Sequence, residues 1–233
     1  MFVQSPLYLI VLYVFLLVLS VITALLEIQI EGPDGWAKKL PTWRITKVWY
    51  KVIFNRTEIT GYHVYLGIFM LLMFHFPLVV LGWSWFAEWT VLSLYSAFNI
   101  VWDFLWFVLN PAFGWHGYTQ DKIWWFQRWR GPFPSDYYGS IAISGLFAML
   151  RGDSAAASSF GAFGTIPQPL QHLIGWAIGM IVCILGCTLL IYTRSKEVND
   201  AGKVEIRPIR IGKSKKGVSL VRIQKKMQKK HQL

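Results

Sequence analysis

Two cysteines, Cys183 and Cys187, are all that the chain contains. They stand four residues apart in an apolar run and so share a helix face; neither a disulfide nor a thiolate metal site is required by them. Charge is also scarce. Asp, Glu, Lys and Arg make up 15% of the residues against 55% hydrophobic ones, and the mean hydropathy is +0.42, outside the balance of a soluble domain. The first 193 residues have almost no net charge. Arg194 to Leu233 holds 13 Lys/Arg against three acids, net +10, so only +1 of the total +11 remains for the rest. A basic tail beside an apolar run reads as topogenic and attracted to anionic headgroups; no recognisable nucleic-acid-binding motif accompanies it, and no nucleic acid is expected. No Lys or Arg precedes Pro6, and the run that follows is too long for a cleaved signal core, so Pro6–Leu26 is read as a retained span.

What the chain has in quantity is long apolar stretches. Residues 6–26, 61–82, 88–109 and 170–192 each approach or exceed the roughly 20 residues that cross a bilayer, and 138–150 is a shorter fifth. The Ile28–Thr60 connection carries six Lys/Arg, Trp83–Ala87 none and Asn110–Tyr137 three. The positive-inside rule then places the N-terminus outside, and the basic tail stays inside only if 138–150 also crosses. The expected fold is an all-α polytopic bundle of about five spans in a cell membrane, residues 1–193, followed by a cytoplasmic tail, 194–233. The sequon at Asn55 falls in a cytoplasmic loop and is expected to be unmodified. The Gly/Ala/Ser-rich 152–168 is expected to be an external loop or a re-entrant piece, and the tail to form a small hairpin.

Asp103 is the one charge within Ser93–Leu109. A carboxylate at membrane depth costs roughly 2.5 to 3.5 kcal/mol on insertion scales and calls for a partner or a task. With Ser96, Asn99 and Asn110 it forms a polar stripe at helical spacing, which should face protein. Helical rise places Glu27, His63 and Asp103 near the cytoplasmic face, with Arg44 in the first cytoplasmic connection and His116 after Asn110-Pro111. Carboxylates and imidazoles drawn from separate helices are how bundles assemble metal sites. Glu27, His63, Asp103 and His116 are therefore the metal candidates, and Arg44 and Asn110 complete the polar set. A transition metal is the cofactor this set suits. Haem is not expected: His63 and His75 lie on one helix and cannot face each other across a macrocycle, and His172, the conceivable partner of His75, belongs near the outer end of the last span.

Two segments mix Trp with basic residues, Thr42–Phe54 and Thr119–Arg130, and read as interfacial helices that anchor in the headgroup layer or roof a site below. In the last span Gly175, Gly179, Cys183 and Cys187 recur every four residues, a small-residue face that suits a partner helix or a second copy. The stretches GWAKKLPTWR (Gly35 to Arg44), DFLWFVLNP (Asp103 to Pro111) and WRGPFPSDY (Trp129 to Tyr137) resemble those of a family of small, uncharacterised prokaryotic polytopic membrane proteins. The resemblance covers residues 6 to 150 and implies membrane insertion without an activity. That family's pattern has Glu-Asp where this chain has Trp102-Asp103, which implies a poorer acid set here.

Two functions are expected from these features. Packing, anchoring and topogenic charge favour a lipid-associated or scaffold subunit. The alternative is a membrane enzyme or metal-binding protein with a cytoplasm-facing polar site on Glu27, His63 and Asp103. A transporter has little support, because no span is visibly duplicated and no broken-helix pair is evident.

Overall fold

A computed structural model describes residues 6–47, 51, 55–151 and 167–203. It divides into a unit of Met1–Ser195 and a unit of Lys196–Leu233. The proposed hairpin of the tail, nearly all of the Gly/Ala/Ser-rich segment and part of Thr42–Phe54 lie outside the described residues.

The chain is mostly helical, and its strands are two-residue pieces. Helix α1 is Pro6–Glu31, followed by β1 (Arg44–Ile45) and β2 (Ile59–Thr60), which pair antiparallel. Then come α2 (Gly61–Leu81), α3 (Trp85–Leu109), the single turn α4 (Gly114–Gly117) and the antiparallel pair β3 (Trp129–Arg130) and β4 (Phe133–Pro134). They end with α5 (Ser135–Met149) and α6 (Gln168–Lys203). Four helices, α1, α2, α3 and α6, are long and apolar enough to cross a membrane. The fifth expected span, α5, is 15 residues long, about 22 Å.

Helix α3 is the hub. Apolar residues on several sides of it are buried, among them Phe98, Leu105 and Phe107, whereas most of α2 and one face each of α1 and α6 leave apolar side chains exposed. Exposed Leu, Ile and Val in such number suit a hydrocarbon solvent and no other. Helix starts follow ordinary capping rules. Thr60 caps α2 by accepting from the His63 N–H, and Ser84 caps α3 by accepting from the Ala87 N–H. Asn110 ends α3, where Pro111 prevents continuation, and its side chain joins two connections by donating to Gly32 O (3.1 Å) and accepting from Ala112 N (3.0 Å).

Helix α5 runs beside α3. Ser93 and Ser144 exchange hydrogen bonds, each hydroxyl donating to the other's carbonyl at 2.8 Å, and Tyr137, one end of α5, reaches Asp103. The first turns of α6 meet the far end of α5, where Trp176 Nε1 donates to Ser144 Oγ at 2.9 Å. From there α6 lies on α1: a Cβ at Gly179 would fall 2.2 Å from the Tyr13 ring and one at Gly186 2.1 Å from Leu17. The small-residue face is thus turned inward. Gly175 and Gly179 seat Leu9 and Tyr13, and Cys183 Sγ lies 3.8 Å from Tyr13 O, so this stripe packs on the protein's own first helix.

The interfacial-helix expectation is corrected at 119–130, whereas in Thr42–Phe54 the described Lys51 is helical, its N–H donating to Lys47 O at 3.4 Å. Residues 119–128 form turns and an isolated bridge, Arg56 to Phe126, before β3, and Arg44–Ile45 is a strand. Their hydrogen-bonding groups are used across the chain: Thr57 N donates to Trp125 O (2.9 Å) and Gln127 N to Asn55 O (3.1 Å). Two connections are thereby laced into one cap over the bundle end, with Trp125 only 2% exposed.

Candidate metal centre

Under that cap lies a cavity of about 190 Å³, walled by Glu27 and Glu31 of α1, His63 of α2 and Asn99, Trp102 and Asp103 of α3, with Trp36, Arg56 and Trp125 from the connections. Glu27 and Glu31 stand one helical turn apart on the same face of α1, both buried. His63 is in the first turn of α2. Its Nε2 lies 3.2 Å from Glu31 Oε1 and 3.8 Å from Glu27 Oε1. One ligand atom from each of the three falls within 4.8 Å of the other two.

Each of the three is oriented by neighbours. His63 Nδ1 is 2.6 Å from Thr60 Oγ1, so the capping threonine that starts α2 also fixes the imidazole. The Trp36 ring stacks on His63 with centroids 4.0 Å apart, and its Nε1 donates to Glu58 O at 3.0 Å. Glu31 Oε1 accepts from Ala37 N at 2.5 Å. The loop that achieves this is strained: Gly32, Gly35, Trp36 and Ala37 all have positive φ, which costs L side chains such as Trp36 and Ala37 of order 1–3 kcal/mol each. Gly35 is required twice over, by its φ of +64° and because a Cβ there would sit 2.7 Å from both Trp106 and Trp125.

Asp103 occupies the opposite wall. Its carboxylate accepts from Tyr137 Oη and lies 3.7 Å from Arg56. Arg56 is 12% exposed and pairs with Asp136 at 2.5 Å, while its guanidinium packs 3.9 Å over the Phe126 ring and 5.2 Å over Trp36. Burial works against the charge, but Asp136 and Asp103 together hold the Arg56 pKa above the ordinary arginine value. Asn55 completes this lock, donating to Asp136 and to Arg128 O and accepting from Arg128 N. The Asn55 side chain is 1% exposed and fully engaged, which leaves no room for a glycan at the sequon.

The expected site is therefore partly assembled. Glu27, His63 and Asp103 share the cavity as expected, but Glu31, which sequence reasoning overlooked, is closer to His63 than Glu27 is. Its signal was available: Glu27 and Glu31 are four apart at the end of an apolar helix. Asp103 is held by a cation and a phenol and does not belong to the tight triad. His116 is exposed on α4 and does not line the cavity. Arg44 pairs with Glu58 and Ala37 O, which pins the loop behind Trp36 without entering the cavity. Asn110 is a helix stop. In the polar stripe, Ser96 and Asn99 donate to carbonyls of their own helix.

His75 Nδ1 donates to Leu71 O (2.7 Å), and its Nε2 meets Glu88 at 3.2 Å. Trp83 Nε1 donates to the other Glu88 oxygen at 3.0 Å. Glu88 thus joins α2 to α3.

The chain matches no protein-family model, no curated protein and no solved structure.

Proposed function

We propose that this protein is a membrane metal-binding protein in which Glu27, Glu31 and His63 hold one divalent transition-metal ion facing the cavity. The carrying observation is the convergence of three ligand atoms within 4.8 Å. Two ligands about 2.0–2.1 Å from an ion at a tetrahedral angle are about 3.3 Å apart. Glu31 and His63 already stand at 3.2 Å, and Glu27, at 3.8 Å from His63 and within 4.8 Å of Glu31, needs to move inward to join them. Charge supports the same reading, since a divalent cation would balance two buried carboxylates converging on one imidazole. Imidazole with carboxylates suits Zn, Fe or Mn rather than a hard-ion site. Thr60 at Nδ1 and the Ala37 N–H at Glu31 supply the outer hydrogen bonds that such ligands ordinarily have.

Three protein ligands leave coordination positions for water or a substrate atom, as in catalytic rather than structural sites. Asp103, steadied by Tyr137 and Arg56 across the same cavity, is the group placed to exchange a proton there. We place this reading ahead of the scaffold expectation, because that expectation gives no role to the ligand atoms converging on the cavity.

The topology that goes with it has five crossings, the N-terminus outside and the site near the cytoplasm. It is supported by the basic-residue bias of the connections and by α5 running along α3 toward the start of α6. A reporter fused to the C-terminus should read as cytoplasmic; an external reading rejects this topology.

The metal reading is tested by elemental analysis of the full chain purified in mild detergent after growth with supplemented metals. About one equivalent of a transition metal is expected, lost in Glu31→Gln and in His63→Ala and kept in His75→Ala. Wild-type protein without metal, or metal retained by both site variants, rejects it.

A further inference from the structure

We propose that the groove between α3, α5 and α6 holds one hydrocarbon chain of an anionic phospholipid, with its phosphate at the Arg130 end. This inference is independent of the metal.

The groove exists because α6 follows α1. Gly179 and Gly186 bring those two helices into close contact, and α6 meets α5 only at its own start, through Trp176 to Ser144 and Leu173 to Gly145. Farther along, α6 stands off from α3 and α5 and leaves a space of about 330 Å³. Its walls are almost wholly apolar and include Phe104 of α3, Ile141 of α5, and Met180, Ile184 and Ile191 of α6.

Dimensions select the occupant. Met180 to Ile191 covers about 16 Å of helix, close to half of a hydrocarbon core about 30 Å thick, which is the depth that one leaflet's acyl chain fills. The stated volume over that length gives a mean cross-section of about 20 Å². A helix about 10 Å across is wider than such a slot, whose dimensions match a single acyl chain.

Charge and aromatic placement select the headgroup. Trp115 and Tyr138 stand at one end of the groove, and both are partly exposed, as amphipathic rings at the headgroup level are. Tyr138 Oη donates to Arg130 O at 2.8 Å, which fixes exposed Arg130 at that mouth. Arg194 follows Ile191 by three residues, on the same helix face. Guanidinium groups beside an interfacial mouth suit a phosphate, which they bind in bidentate fashion.

Native mass spectrometry of the full chain, released from mild detergent, should show one phospholipid that survives activation, and phosphatidylglycerol should be retained over phosphatidylcholine. Thr188→Trp, which fills the groove from a partly open wall, should abolish that adduct, while Val79→Trp on the exposed face of α2 should leave it. Arg130→Gln should cut the preference for phosphatidylglycerol by about fivefold, the effect of one basic residue near a headgroup. Wild-type chain without a retained lipid, or Thr188→Trp with an undiminished one, overturns the proposal. Crosslinking of the unmodified chain with a phosphatidylglycerol carrying a diazirine on its acyl chain needs no variant to fold. Adducts at Phe104, Ile184 or Thr188 are expected. Adducts confined to outward faces such as Val79 to Leu81 overturn it, as does a retained second copy of the chain in place of lipid.

Discussion

Two histidines of this bundle face a carboxylate at the same 3.2 Å, His63 against Glu31 at one end and His75 against Glu88 at the other. At the Trp83 end every group is spoken for. His75 Nδ1 meets Leu71 O, its Nε2 meets Glu88 Oε1, and Trp83 takes the second carboxylate oxygen. The result is a clamp between α2 and α3. At the capped end the donors and acceptors do not pair off: a second carboxylate, Glu27, converges on the same imidazole nitrogen, and a walled cavity adjoins it. The contrast shows that a histidine–carboxylate contact alone is structural, and that an excess of ligand atoms beside space is what marks a site.

The largest effect expected on stability comes from the lock behind the cavity. Arg56→Met leaves Asp103 and Asp136 without their cation in a buried setting and should cost about 3–5 kcal/mol, read as a fall in unfolding free energy in detergent. Glu88→Gln, at the clamp, should cost about 1 kcal/mol and leave metal content unchanged. Equal costs would erase the distinction between the two ends. A smaller effect, confined to one end, is predicted for Thr60→Val: metal affinity should weaken by about 10- to 100-fold with the helix content intact, because the imidazole loses its orienting hydroxyl. Titration with a competing chelator measures this, and an unchanged affinity would separate Thr60 from the site.

The smallest effect concerns Asp34 in the strained loop. A hydrogen bond from Lys39 at 2.5 Å, helped by Lys38, holds its carboxyl below the usual aspartate range. A depressed folded-state pKa stabilises above the unfolded value and is lost as the pH falls through the folded one. Lys39→Ala should therefore remove a small stabilisation that wild type has near neutrality and flatten the shallow loss of stability below about pH 4, both effects being screened by salt. A Lys39→Ala effect at pH 7 larger than that of Thr60→Val would contradict the placement of Asp34 at the surface.

The helices were legible in the sequence because each carries a long apolar run, and Asp103 was legible because a lone carboxylate in such a run demands a partner. The partner itself was not. Arg56 lies 47 positions away in a connection whose only visible quality was positive charge, and nothing local says that Asn55 and Asp136 will fold it inward. Reading Trp and basic residues as an interfacial helix failed at 119–130 for a related reason: side-chain composition there suits a headgroup layer, but Trp125 and Phe126 are consumed by packing against Trp36, Phe107 and Arg56. Glu31 was lost at a boundary. Ending the first span at Leu26 set the last turn of α1 among the loop residues, although the spacing from Glu27 already put both carboxylates on one face. His116 was misjudged from depth alone, since the turn after Pro111 points it outward.

X-ray absorption at the edge of the bound metal in the full chain tests the central claim most directly. Nitrogen and oxygen scatterers at about 2.0–2.2 Å, with the imidazole signature of one histidine and loss of that signature in His63→Ala, are the predicted result. Sulfur scatterers at about 2.3 Å, which would point to Cys183 and Cys187, or a histidine signal that survives His63→Ala, would contradict it.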